Sequence, residues 1–128
     1  MPIETRRTER GHSFYPPAEE LAAIPPLYGT ESIPIEETVI HLHYFTGNSD
    51  WWVAELDPVT GLAFGYARLN CDDLNAEWGY IDLTELEAIY RPAQAVSADG
   101  AVRIAVPLIV ERDLQWTLRP FRGVLSHI

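Results

Sequence analysis

Three segments near the middle of the chain alternate apolar and polar residues with a period of two, the pattern of half-buried strands. Over residues 38–45 (TVIHLHYF), Ile40, Leu42 and Tyr44 point one way and His41, His43 and Phe45 the other. Over 51–57, Trp52, Ala54 and Leu56 oppose Trp51, Val53, Glu55 and Asp57. Over 63–69, Phe64, Tyr66 and Arg68 oppose Gly65, Ala67 and Leu69. The connections are short: TGNSD, then Pro58 to Gly61 with proline early and glycine late. They predict an antiparallel meander. A polar loop, NCDDLNA, leads to a further short strand over 77–81.

Helical signals flank this region. Pro16 and Pro17 open a short helix over 16–24, where their missing N–H is harmless. Leu21 and Ile24 share a face, and Pro25 and Pro26 stop the helix. Residues 27–37 read as an irregular connection pinned to the core by Leu27, Tyr28, Ile33 and Ile35. A second helix over 83–90 is capped by Asp82, with Glu85 at the third helical position reaching back to the cap backbone. Pro92 ends it. Residues 93–101 read as a loop turning at Asp99-Gly100. An apolar stretch over 102–110 is bent or split by Pro107, which cannot donate to a central ladder. Residues 115–118 read as a last strand or extended arm, and 121–128 as a tail that docks. Residues 1–12 have no apolar period and read as a mobile tail. The rest, 13–128, reads as one α+β domain. Its twisted, mostly antiparallel sheet has about five to six strands, with two short helices packed on one side.

Charge sharpens this picture. The net charge is −10. Residues 13–101 hold fifteen acids against Arg68 and Arg91, while both ends are slightly basic. An acidic centre repels nucleic-acid phosphates, so direct nucleic-acid binding is not expected, and it attracts a basic protein surface. No apolar run reaches the ~20 residues of a membrane helix. The N-terminus lacks the apolar core of a secretory signal. Cys71 stands alone, which points to the cytoplasm. Exposed sheet edges are compatible with a homodimer.

Several blocks resemble a known family. The matching positions are Trp52, Glu55, Leu56, Asp57 and Pro58; Phe64 and Gly65; Glu77, Gly79, Tyr80, Leu83, Glu85 and Leu86; and Val110, Glu111, Arg112, Asp113, Leu114 and Trp116. Together they resemble the uncharacterised bacterial family catalogued as domain of unknown function two-nine-five-eight, over roughly residues 18–118. The resemblance implies a plasmid, integrative-element or phage setting and carries no activity with it. The chain departs from the pattern by a longer N-terminal arm and an insert around 97–103. Glu77, Glu85 and the Glu111-Arg112-Asp113 cluster have structural explanations: a strand end, a helix cap, and a turn in which Arg112 bridges two acids.

The sequence has no G-x-S-x-G, no phosphate-binding glycine loop, no H-E-x-x-H and no C-x-x-C, and no motif calls for a cofactor. The one suggestive surface is the second face of the meander, where His41, His43, Glu55, Asp57 and Arg68 would join Trp51, Phe64 and Tyr66. That face, with the acidic centre, suggests a non-enzymatic protein-interaction module, in a sharper form a DNA mimic or anti-defence factor. The alternative is a small metal- or carboxylate-dependent enzyme built on His41, His43, Glu55 and Asp57, with His41 and His43 as weak metal ligands. A one-residue slip in register would rearrange the whole set.

Overall fold

The computed structural model describes residues 1–92 and 94–126, so Ala93, at the start of the expected 93–101 loop, and His127 and Ile128, at the end of the expected tail, lie outside the described residues. The architecture is α+β. The helices are α1 (Arg7–Arg10), α2 (Ala18–Ala23), α3 (Leu83–Ala88) and α4 (Phe121–Leu125), with a 3-10 turn at Ile35–Glu37. The first five strands are β1 (Val39–Ile40), β2 (Leu42–Thr46), β3 (Ser49–Leu56), β4 (Leu62–Arg68) and β5 (Glu77–Asp82). Six short ones follow: β6 (Tyr90–Arg91), β7 (Gln94–Val96), β8 (Arg103–Ala105), β9 (Leu108–Ile109), β10 (Glu111–Arg112) and β11 (Arg119–Pro120).

The main sheet has the order β10-β2-β3-β4-β5, and every pairing is antiparallel. The meander forms as its turns dictate. β11 pairs with β1, and Pro120 sits in that short edge pair, where a missing N–H costs least. β7 and β8 form a hairpin turning at Asp99-Gly100, so the region expected as a loop contains a strand. Pro107 separates β8 from β9. Of the two readings of 115–118, a last strand or an extended arm, the strand does not form. A turn follows Asp113, whose carboxylate accepts from the Gln115 N–H, and regular pairing resumes only at Arg119.

Each face of the sheet carries its own core. One face buries Leu42, Tyr44, Trp51, Val53, Leu56, Ala63 and Ile81 under Phe14, Tyr15, Ile24 at the end of α2, and Leu83 and Leu86 of α3. Tyr44 stacks on Phe14 with centroids 4.3 Å apart and donates its hydroxyl to the Phe14 carbonyl at 2.8 Å. The other face carries Trp52 and Ala54, packed with Ile40 of β1 and with Phe121 and Val124 of α4. At about 1.5–3 kcal/mol per large buried side chain, both cores contribute materially.

The N-terminal arm, expected as a mobile tail, lies against the domain. The reason is electrostatic. Glu87 of α3 is buried, and its carboxylate accepts from the Thr5 N–H and hydroxyl, the Arg6 N–H at 2.8 Å and the Arg10 guanidinium at 3.2 Å. Arg10 is itself buried; it also donates to the Val110 carbonyl at 2.7 Å and the Glu87 carbonyl at 2.9 Å, and it sits over the Phe14 ring. Burial pushes the Glu87 carboxyl up, but the bonds from Thr5, Arg6 and Arg10 outweigh that and hold it below its ordinary value. A carboxyl lowered on folding contributes stability above its unfolded pKa, and that stability is lost as pH falls through the folded one. Glu87→Gln is therefore expected to lower unfolding free energy at neutral pH by about 3–5 kcal/mol. In urea titrations the gap to the parent chain should narrow as the pH falls below about 4.

Candidate functional site

The outer face of the sheet is a ladder of rings. His43, Trp52, Tyr66 and Trp78 follow one another across β2, β3, β4 and β5, with ring centroids 5.3, 5.9 and 6.0 Å apart. Phe64 and Tyr80 extend it along β4 and β5. Helix α4 lies on the middle of the ladder, with Phe121 4.8 Å from both Tyr66 and Trp78. It leaves a depression on either side.

The first depression is a cleft of about 350 Å³ walled by Tyr28, Ile33, Ile35, Phe64, Trp78 and Tyr80. Glu55 is part of its lining, brought to this face by a β-bulge. Val53 pairs with Gly65 and Glu55 pairs with Phe64, so Ala54 is the extra residue. The bulge turns Ala54 and Glu55 both outward and returns Leu56 to the inner core. Gly65 makes this possible, since a Cβ there would stand 1.9 Å from the Trp52 carbonyl oxygen. The Glu55 side chain then organises residues 28–30. It accepts from the Tyr28 N–H at 2.8 Å, the Thr30 N–H at 2.9 Å and the Thr30 hydroxyl. Tyr28 takes a left-handed conformation (φ 69°), uncommon for a non-glycine residue, to present its N–H. Its hydroxyl accepts from Tyr80 at 2.8 Å. That bond, followed by desolvation, holds the Tyr80 hydroxyl above its ordinary pKa.

The second depression, about 250 Å³, lies on His43, Asp50, Trp52, Arg68, Asp113 and Trp116. His43 stands between two carboxylates, with Nδ1 2.9 Å from Asp113 and Nε2 2.8 Å from Asp50. Carboxylates only accept, so both bonds form together only when both ring nitrogens carry hydrogen. Arg68 donates to Asp50 at 2.9 Å. Burial pushes the Asp50 carboxyl up, yet the bonds from His43 and Arg68 hold it below its ordinary value.

The expected set is thus divided. His43 and Arg68 belong to the second depression, Glu55 and Phe64 to the first, and Tyr66 lies under α4 between them. Trp51 faces the inner core, because it pairs with Tyr44 and Ala67, and Trp52 takes the outer place. His41 falls in the break between β1 and β2 and lines a separate hollow with Glu20, Ala23 and Leu118; burial alone lowers its pKa. Asp57 is fully committed to the Pro58 turn, where it accepts from the Val59 N–H. The four side chains His41, His43, Glu55 and Asp57 therefore do not converge, and among the described residues no group of three or more His, Cys, Asp or Glu is placed to hold a metal ion.

The remaining positions resolve individually. Glu77 is exposed on β5, and Gly79 lies opposite Gly65. Asp82 caps α3 through Thr84, while Glu85 is exposed rather than bonded back to the cap. Arg112 donates to the Ser13 carbonyl instead of bridging Glu111 and Asp113, and Asp113 serves His43. Tyr28, Ile33 and Ile35, expected in the core, are exposed cleft walls. Trp78 carries no signal beyond its strand position, and Asp50 falls in the TGNSD segment expected as a turn, whereas β3 begins at Ser49.

These features define an α+β domain whose antiparallel sheet presents an aromatic outer face, parted by a C-terminal helix into two depressions. The chain belongs to the family described as protein of unknown function (DUF2958), whose model matches residues 30–120. No curated protein and no solved structure matches the chain. Among the described residues no helix is long and apolar enough to cross a membrane.

His43→Ala leaves the Asp113 and Asp50 carboxylates without their imidazole partner. At about 1.5–3 kcal/mol for a hydrogen bond to a charged group, the loss should be roughly 2–3 kcal/mol in chemical denaturation at neutral pH.

Proposed function

We propose that the protein is a non-enzymatic protein-interaction module that acts in the bacterial cytoplasm, in the setting of a mobile genetic element. The observation that carries this reading is the apolar cleft with walls that face solvent: Tyr28 is 65% exposed, Tyr80 56%, Ile35 54% and Ile33 42%. Aromatic and aliphatic side chains offered together around a concave site are the composition of a recognition centre. The polar groups of the same face support it, because each serves the fold. Glu55 holds residues 28–30, and Asp50 and Asp113 hold His43. Exposed acids border the cleft, among them Glu31, Glu36 and Glu37. Their field favours a partner with a basic surface and speeds its approach. In its sharper form the reading makes those acids stand in for DNA phosphates, against a nucleic-acid enzyme of the host.

The test pairs affinity capture with direct titration. A partner captured at low salt should bind the purified chain with an affinity that falls as salt rises. It should bind the Ile33→Asn, Ile35→Asn double variant at least about tenfold more weakly. Both positions are exposed, so unfolding curves should stay unchanged. Equal binding to parent and variant removes the reading. If duplex DNA competes for the captured partner, the mimic form stands; if it does not, that form falls.

A further inference from the structure

The cleft contains a charge that the protein itself does not compensate. Glu55 is 4% exposed. Its carboxylate receives three hydrogen bonds, all from neutral donors: two backbone N–H groups and one hydroxyl. Among the described residues no Arg or His stands within ion-pair distance of it, whereas the other buried carboxylate, Glu87, is paired with Arg10. Neutral donors orient and solvate a carboxylate but leave its full negative charge in place. That charge lies at low exposure beside an open cleft, where water screens it least.

The lining around it is aromatic. Tyr28, Phe64, Trp78 and Tyr80 all border the same space, and their faces attract a cation within about 6 Å through the ring quadrupole. Glu31 adds a second carboxylate to the lining. An anionic ligand would meet repulsion here. A purely apolar one would cover Glu55 and deepen its desolvation without compensation. A cleft of about 350 Å³ takes one long side chain with part of its neighbours.

We propose that the cleft receives a cationic side chain, the ammonium or guanidinium of a lysine or arginine on a protein partner, seated near Glu55 among the rings of Tyr28, Phe64, Trp78 and Tyr80. This deepens, and rests on, the reading of the domain as a protein-binding module. The rings compensate the head group laterally, Glu55 compensates it from below, and Ile33 and Ile35 cover the aliphatic stem.

The experiment needs no identified partner. The ¹⁵N-labelled chain is titrated with butylguanidinium, butylammonium and neutral 1-butanol, against a sodium chloride control, and with a blocked Ala-Arg-Ala peptide. The Tyr28 and Thr30 amides, which donate to Glu55, are the reporters. The cations and the peptide should shift them saturably, and 1-butanol should bind at least about tenfold more weakly. Tyr80→Leu should weaken cation binding about three- to tenfold with an unchanged unfolding curve. Glu55→Gln should abolish it; because glutamine also disturbs residues 28–30, Tyr80→Leu supplies the independent check. Equal binding of 1-butanol and the cations, or no saturable shift beyond the salt control, overturns the proposal. Binding of the free cations with rejection of the peptide overturns the side-chain assignment. A chain that ignores all these cations but still loses its captured partner in the Ile33→Asn, Ile35→Asn variant keeps the protein-binding reading and sinks only the cation.

Discussion

At Ala54 the third strand carries one residue more than its neighbour can match, and much of the outer face follows from it. Without the bulge, regular alternation along β3 would turn Glu55 into the inner core and Leu56 outward. With it, Leu56 recovers the inner position and Glu55 reaches the outer face, next to Phe64. The bulge in turn depends on the smallest possible neighbour. Any side chain at 65 would part β3 and β4 where they must come closest, at the Trp52 carbonyl. Once outside, Glu55 captures the amides of Tyr28 and Thr30 and so places the cleft wall. One inserted residue thus links strand pairing, loop conformation and the shape of the surface.

The charges of the chain divide into two kinds. Some are interior fasteners: Glu87 with Arg10, and Asp50 with His43 and Arg68. These are buried or half-buried and well bonded, so salt screens them less than surface charges. The others are solvated, with acids outnumbering arginines, and they give the surface its acidity without holding the fold. Net charge alone does not separate the two, because Glu55 belongs to neither. It is buried like a fastener yet lacks a cation.

Much of the fold was legible in the sequence. Leu42 and Tyr44 face inward as their alternation requires, the meander turns where Pro58 and Gly61 place it, and Asp82 caps a helix with Leu83 and Leu86 on its buried side. The site was legible only in part, for reasons of register. WWVAEL offers a tryptophan to each face, and alternation cannot decide which one belongs inside. The answer depends on cross-strand partners, Tyr44 opposite Trp51 and Tyr66 opposite Trp52. A second irregularity at His41 separated it from His43. The arm over residues 1–12 looked free because its anchors are polar. An arginine buried against a glutamate 77 positions away leaves no apolar period to read.

That long reach has a consequence for how the molecule comes into being. Residues 5–10 depend on acceptors made much later, with Arg10 bonding across 77 residues to Glu87 and across 100 to Val110. On the ribosome the arm must therefore wait, unpaired, until nearly the whole sheet has emerged. Contacts of such separation form late because a long loop must close before they bring any return. The arm over residues 1–12 is thus among the last pieces of the domain to settle, and its docking marks completion of the fold rather than its nucleation.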